Sequence, residues 1–133
     1  MNIIAANKAS LEKVNAFLET TDQVDKNSLL EEGFVVEFEQ EIRGCFVLSS
    51  INEGEYWLKQ LYISKEAAAS LPVLLETIVT MAKGLHAKKV YVHSHQPVVD
   101  ILLDALQFHP QKEVVLPIKK PRAEGSWWAY EVS

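Results

Sequence analysis

The strongest constraint on the fold of this chain is a change of hydrophobic period at Ser64. Before it, the apolar residues follow a period of two: Phe34, Val36 and Phe38 alternate with Val35, Glu37 and Glu39. Side chains at that spacing point to alternate faces of a strand. Beyond it, Leu71, Leu74, Leu75, Ile78, Met81, Ala82 and Leu85 fall on one face of a helix. A meander of strands that gives way to alternating helices and strands implies an α/β domain, with helices layered on one mixed sheet.

The flanking segments extend that order. Residues 2–6 suit a first strand, and Ser10 can cap a helix carrying Leu11, Val14, Phe17 and Leu18. Residues 23–33 can hold a short second helix ending at Gly33. Gln40 and Glu41 read as a turn, and 42–51 as a buried strand around Cys45-Phe46-Val47-Leu48. Gly44 within it signals a bulge or a close backbone approach. Asn52-Glu53-Gly54 is a second turn, followed by a strand over 56–63. Ser70 is expected to cap the long helix, with Pro72 tolerated in its first turn. Val90-Tyr91-Val92-His93 is a strand, and Pro97 opens a helix with Val98, Ile101, Leu102, Ala105 and Leu106 inward. Residues 114–118 and 127–132 close the sheet. Alternation puts Trp127 and Trp128 on opposite faces, so that one belongs to the core and the other covers a ligand cleft or a dimer contact.

Composition narrows the class of protein. At 133 residues the chain is expected to be a single domain over 1–133. Its 48% hydrophobic and 23% charged residues suit a globular protein and not a disordered one. The single cysteine, Cys45, excludes an internal disulfide and a thiolate metal cage, and reads as core packing. No apolar run approaches the ~20 residues of a membrane span, and the N-terminus has no signal-peptide core, so a cytoplasmic location with no membrane partner is expected. Residues 1–58 carry 4 basic and 11 acidic side chains, while 59–133 carry 9 and 7. An acidic first half argues against nucleic acid as a partner, because phosphate contacts need clustered Lys and Arg. It suits a cationic ligand or partner.

The order of elements is the one found in the GNAT superfamily, the acyl-CoA-dependent N-acetyltransferases. The stretch from Leu74-Leu75-Glu76 through Ala82-Lys83 to Ala87-Lys88-Lys89-Val90-Tyr91-Val92 resembles that family's third helix and fifth strand. Leu61-Tyr62-Ile63-Ser64 is similar to the end of its fourth strand, and Gly44 to the glycine that opens its third. Leu106-Gln107-Phe108 sits where the family has Leu-Gly-Phe. The resemblance covers nearly the whole chain. It implies a GNAT-like sheet, acetyl-CoA as the acyl donor, and a small amine or peptide as acceptor.

The same resemblance marks departures. The family grips the CoA diphosphate with a loop of the form Arg/Gln-x-x-Gly-x-Gly/Ala, where glycine lets backbone N–H groups approach the phosphates. Here the segment is Ser64-Lys65-Glu66-Ala67-Ala68-Ala69-Ser70, without glycine or arginine, and it reads as an extra helical turn. All five glycines, at 33, 44, 54, 84 and 125, lie elsewhere. Lys65 and Ser70 are the side chains there that can meet an anion, and the backbone of Leu61, Tyr62, Ile63 and Ser64 can polarise a thioester carbonyl. Leu103 takes the place of the family's acidic tyrosine, and Gln96 that of its helix-opening asparagine. A GNAT-fold binding module without catalysis is therefore the alternative.

Three further side chains are candidates for acid/base work. Glu55 lies two residues from Trp57 on one strand face and can deprotonate an amine through water. His93 and His95 share a face at the end of the fifth strand, and either can act as acid/base or touch a substrate. A third ligand close in sequence is missing, so no metal is expected.

Overall fold

The computed structural model describes residues 1–94, 96–111 and 125–132. The chain divides into two compact units: Met1–Leu48 with Lys59–Leu71, and Ser49–Leu58 with Pro72–Ser133. Among the described residues there are seven strands and four α-helices. The strands are β1 (Asn2–Ala5), β2 (Gly33–Phe38), β3 (Glu41–Asn52), β4 (Glu55–Ile63), β5 (Lys89–Ser94), β6 (His109–Gln111) and β7 (Ser126–Glu131). The helices are α1 (Leu11–Leu18), α2 (Lys26–Glu32), α3 (Leu71–Gly84) and α4 (Pro97–Ala105). The sheet order is β1-β2-β3-β4-β5-β7-β6. β4 and β5 are parallel, whereas β1–β2, β2–β3, β5–β7 and β6–β7 are antiparallel. The mixed sheet expected from the order of periods is thus present. The parallel pair needs a crossover, and α3 supplies it.

In the first unit, α1 begins where the Ser10 hydroxyl accepts the Lys13 amide at 3.4 Å. Val14 and Phe17 of α1 and Leu29 of α2 bury against Val35, Cys45 and Val47 of the sheet. Phe34 and Phe46 stack at 5.2 Å, and alternation assigns them to the opposite face. Leu11, expected in the buried stripe, is exposed in the first helical turn. The β2–β3 turn lies one residue earlier than expected, at Glu39 and Gln40, with φ of 52° and 69°. Both central residues are left-handed, as a two-residue turn matched to strand twist requires, so Glu41 starts β3 opposite Phe38. The Lys13 ammonium donates to the Gln40 carbonyl at 2.8 Å and braces the turn.

Gly44 serves both of the roles inferred for it. The β2–β3 register steps from Val36↔Gly44 to Glu37↔Ile42, which bulges β3 at Arg43. A Cβ on Gly44 would lie 2.8 Å from the Tyr62 carbonyl oxygen.

In the second unit, α3 buries Leu74, Leu75, Ile78, Val79 and Ala82, while Leu85 is exposed beyond its end. Helical backbone already begins in the first unit at Lys65, as a 3-10 turn over Lys65–Ser70, so Ser70 lies inside the helical run rather than capping it. That run, Lys65–Gly84, has 20 residues and a mean hydropathy of 1.2, long and apolar enough by length and composition to cross a membrane. The sequence expectation of no such length is corrected, although burial on one side is the pattern of a core helix.

The inner face of α4 also differs from expectation. Val98 and Ile101 are 69% and 70% exposed, and Leu103 is fully buried. The helix is apolar nearly all round, so periodicity admits two stripes. The choice falls to the chain that follows: the Phe108 amide donates to the Leu103 carbonyl at 2.9 Å, and the Phe108 ring meets Tyr130 at 5.3 Å. β6 was missed because His109-Pro110-Gln111 has no strand periodicity. The strand expected over 114–118 lies outside the described residues.

Gly44→Ala is expected to destabilise the protein by about 1–3 kcal/mol, because the clashing partner is backbone. Gly84→Ala, with open space around its Cβ position, is expected to be neutral or to stabilise by up to about 1 kcal/mol. Urea unfolding of the two variants reads both signs; equal midpoints would contradict the assigned roles.

Candidate functional site

In the first unit the chemistry gathers at the C-terminal end of β4. Gln60 has φ 54° in mid-strand, a rare conformation for a residue with a side chain. Two contacts hold it. Its side-chain Oε1 accepts the Asp25 amide at 2.7 Å, and its carbonyl faces the Cys45 Sγ at 3.8 Å. Asp25 in turn caps α2, its carboxylate accepting the Ser28 amide at 3.2 Å and hydroxyl at 2.8 Å. Those bonds hold the Asp25 carboxyl below its ordinary value. Burial pushes the Cys45 thiol up to about 12, so it stays protonated near neutrality and is no nucleophile.

Past Gln60, Leu61, Tyr62 and Ile63 complete β4, with the Tyr62 ring 5.7 Å from Phe17. The Ser64 amide donates to the Arg43 carbonyl at 2.7 Å, and the Ala67 amide to the Ser64 carbonyl at 3.1 Å. The Leu71 amide returns to the Ala68 carbonyl. The amides of Ser64, Ala67 and Leu71 are therefore already engaged. The Glu66 carboxyl is held low, chiefly by its own backbone amide and then by the Ser64 hydroxyl, with Arg43 and Lys65 adding charge. Lys65 and Ser64 line a cavity of about 500 Å³ with Lys13, Phe17, Arg43 and Tyr62. Ser70 lines a different one, of about 430 Å³. Lys65 and Ser70, expected together at an anion, thus open into separate cavities.

In the second unit the parallel register runs Glu55↔Lys89, Tyr56↔Val90, Trp57↔Tyr91 and Leu58↔Val92, and ends there. Glu55 stands at the first pair. Its two carboxylate oxygens accept the Tyr91 hydroxyl and the Asn52 amide, each at 3.1 Å. Burial first, then the Glu55 contact and the Glu131 charge, raise the Tyr91 phenol above its ordinary value. His93 lies four residues along β5 from Lys89, roughly 13 Å at strand rise, so Glu55 and His93 do not share a reacting point. His93 instead belongs to a ring cluster: it meets Trp127 edge-on at 5.2 Å, and Trp127 meets Trp57 at 5.7 Å. His95 lies outside the described residues. Trp128 is buried and Trp127 half-buried, on opposite faces as alternation requires. Leu103 is a core residue without a proton to give. Among the described residues, no three of His, Cys, Asp and Glu gather to hold a metal ion.

Sequence reasoning missed Gln60, because nothing in Lys59-Gln60-Leu61 marks a left-handed residue. It also missed Tyr91 as the partner of Glu55, which needs the register of two strands 36 residues apart.

A mixed sheet with one short parallel pair and this helix order is the GNAT fold. Comparison with solved structures gives the same answer. A GNAT-family acetyltransferase from Staphylococcus aureus Mu50 matches with a TM-score of 0.74 at 15% identity, over 99% of this chain and 99% of its own. The N-acetyltransferase PseH of Campylobacter jejuni matches at 0.73 and 12% identity, over 99% and 98%. N-acetylglutamate synthase from Neisseria gonorrhoeae, complexed with coenzyme A and N-acetyl-glutamate, matches at 0.74 and 17% identity, over 99% of this chain and 35% of its own. No family model matches the sequence, and no curated protein matches it.

Two outcomes follow from this geometry. Gln60→Val is expected to cost about 1–2 kcal/mol, since a β-branched residue is poorly tolerated at positive φ, while Gln60→Gly costs less because it keeps the backbone. Equal losses in thermal melts would mean that side-chain contacts, not backbone conformation, dominate. For Tyr91 the folded-state phenol ionises above its unfolded value of about 10, so the folded state holds the proton longer. Stability is then full below about pH 10 and falls as pH rises beyond it. Tyr91→Phe should flatten that alkaline limb; an unchanged limb would exclude Tyr91 as its source.

Proposed function

We propose that the chain is an acyl-CoA-dependent N-acetyltransferase of the GNAT superfamily, acting on a small amine or a peptide amine. The observation that carries this reading is the fold: a match to acetyltransferases along essentially the whole chain, with a parallel β4–β5 pairing that stops after four residues. Fold alone does not specify chemistry. The coenzyme A bound in the Neisseria neighbour supports acetyl-CoA as the donor class.

In this reading an acyl-CoA thioester supplies the activated acyl group. The amine nitrogen bonds to the carbonyl carbon, the carbon–sulfur bond breaks, the nitrogen loses a proton and the sulfur gains one. His93 receives the amine proton as general base. Glu55 acts instead as a positioning group for Tyr91, since both its oxygens are occupied. The amides of Ser64, Ala67 and Leu71 are engaged within the chain, and Lys65 offers a cationic side chain beside them. The same engaged amides favour a second reading, a GNAT-fold binding module that does not take acetyl-CoA.

Thermal shift separates the two. With a Kd on the order of 10 µM, about 1 mM acetyl-CoA adds roughly 2.7 kcal/mol and raises the melting temperature by several degrees. Unchanged melting would sink the acetyltransferase reading. If acetyl-CoA binds, His93→Ala should lower amine acetylation on the order of 10²-fold or more while leaving the shift intact.

A further inference from the structure

We propose that the outward face of α4 is a self-association surface, on which a second copy of this chain docks its own α4 in the antiparallel sense. Nothing in this depends on the acyl-transfer reading.

Among the described residues, the large apolar side chains left exposed are Met1, Leu11, Val73, Leu85, Val98 and Ile101. Scattered singly, such residues are ordinary on a protein surface. Val98 and Ile101 are the most exposed of them, and only these two stand one turn apart on one helix. At 3.6 residues per turn, Val98, Ile101 and Ala105 fall within about 60° of arc. Ala105 is exposed as well, and Leu102 lies half-buried at the margin. The helix cannot turn this stripe inward, because Leu103 on the other side is fully buried and its carbonyl accepts the Phe108 amide. The charged residues of α4 are Asp100 and Asp104, and of these Asp104 flanks the stripe.

The stripe is complementary to itself, which is what a two-fold contact requires. A two-fold axis between Ile101 and Leu102 sets Val98 level with Ala105 of the second copy, and Ile101 level with Leu102 of the second copy. A large side chain then meets a small one at each end, and Ala105 lets the helices approach closely. Charge selects the antiparallel sense. It opposes the two helix dipoles and brings Asp104 level with Val99 of the second copy, beside that helix's positive N-terminal turn. That turn is open to a carboxylate: Gln96 at the N-cap makes no side-chain bond to it, and Asp100 projects from the far side of the helix. The two Asp104 carboxylates stand five residues out of level, about 7–8 Å along the axis. A parallel pair would set them side by side and align the dipoles. With nine residues, α4 offers only about 13 Å of contact, so the dimer is weak and forms with rising concentration.

Sedimentation equilibrium of the full chain, with no ligand present, reads the association from about 10 µM to about 1 mM. The expected result is a monomer–dimer equilibrium with a Kd on the order of 100 µM. Ile101→Lys should weaken it at least tenfold and, since Ile101 is exposed, leave the melting temperature of the dilute monomer unchanged. A native chain that stays monomeric at about 1 mM, or an Ile101→Lys dimer as tight as the native one, would overturn the proposal. Disulfide trapping then reads the register, and the native Cys45 is buried and does not compete. The two-fold places the copies of residue 101 about 1.5 Å out of level and those of residue 98 about 10 Å. Under oxidation Ile101→Cys should therefore form a covalent dimer at least fivefold faster than Val98→Cys. Equal rates, as for a parallel pair or an unspecific apolar contact, or faster trapping in Val98→Cys, would also overturn it.

Discussion

The structure depends on what happens along β4. Its first four residues pair in parallel with β5, an arrangement that obliges a helix to cross between them. Two residues after the last pair, Gln60 turns left-handed. Where the pairing with β5 has ended and the peptide planes rotate, other groups hold the residue. Cys45 meets the Gln60 carbonyl, and Asp25 at the head of α2 meets its side chain. One side chain thereby links the irregular point of β4 to the start of α2, and the stability of the cap at Asp25 bears on the geometry of the strand.

Much of this frame was legible in the sequence. The alternation around Val35 and Val36 and the helical stripe from Leu74 to Ala82 are set by burial on defined faces, and burial leaves a period. The Ser10 cap and Gly44 were legible for the same kind of local reason, a hydroxyl one position before a helix and a residue without Cβ where a carbonyl comes close. The misreadings have a shared cause as well. Val98 and Ile101 are as apolar as Leu103, so only the docking of Phe108 decides which stripe of α4 turns inward. The short β6 has no pattern of its own and exists because β7 offers an edge.

The candidate sites were less legible, because they are made by register rather than by spacing. Glu55 and His93 looked alike as acid/base candidates in the sequence. Once the strands are paired, Glu55 is tied to Tyr91 and Asn52 at one end of β5, while His93 joins two tryptophans at the other. Trp57 and Trp127 lie 70 residues apart in sequence, and only the order β4-β5-β7 brings their rings into contact. The absence of glycine after Ser64 was visible at once. Its structural counterpart is a helical turn whose amides bond back into the chain, with Glu66 as the anion beside them.

Cys45 has a practical corollary. It is the chain's single cysteine, fully enclosed between helices and sheet, and its proton is held to about pH 12. Thiol oxidation and alkylation proceed through the exposed thiolate, and neither exposure nor ionisation is available here while the first unit stays folded. The sulfur is therefore a built-in gauge of local opening: the rate at which a thiol reagent labels the native protein measures how often the layer of α1 and α2 lifts from the sheet.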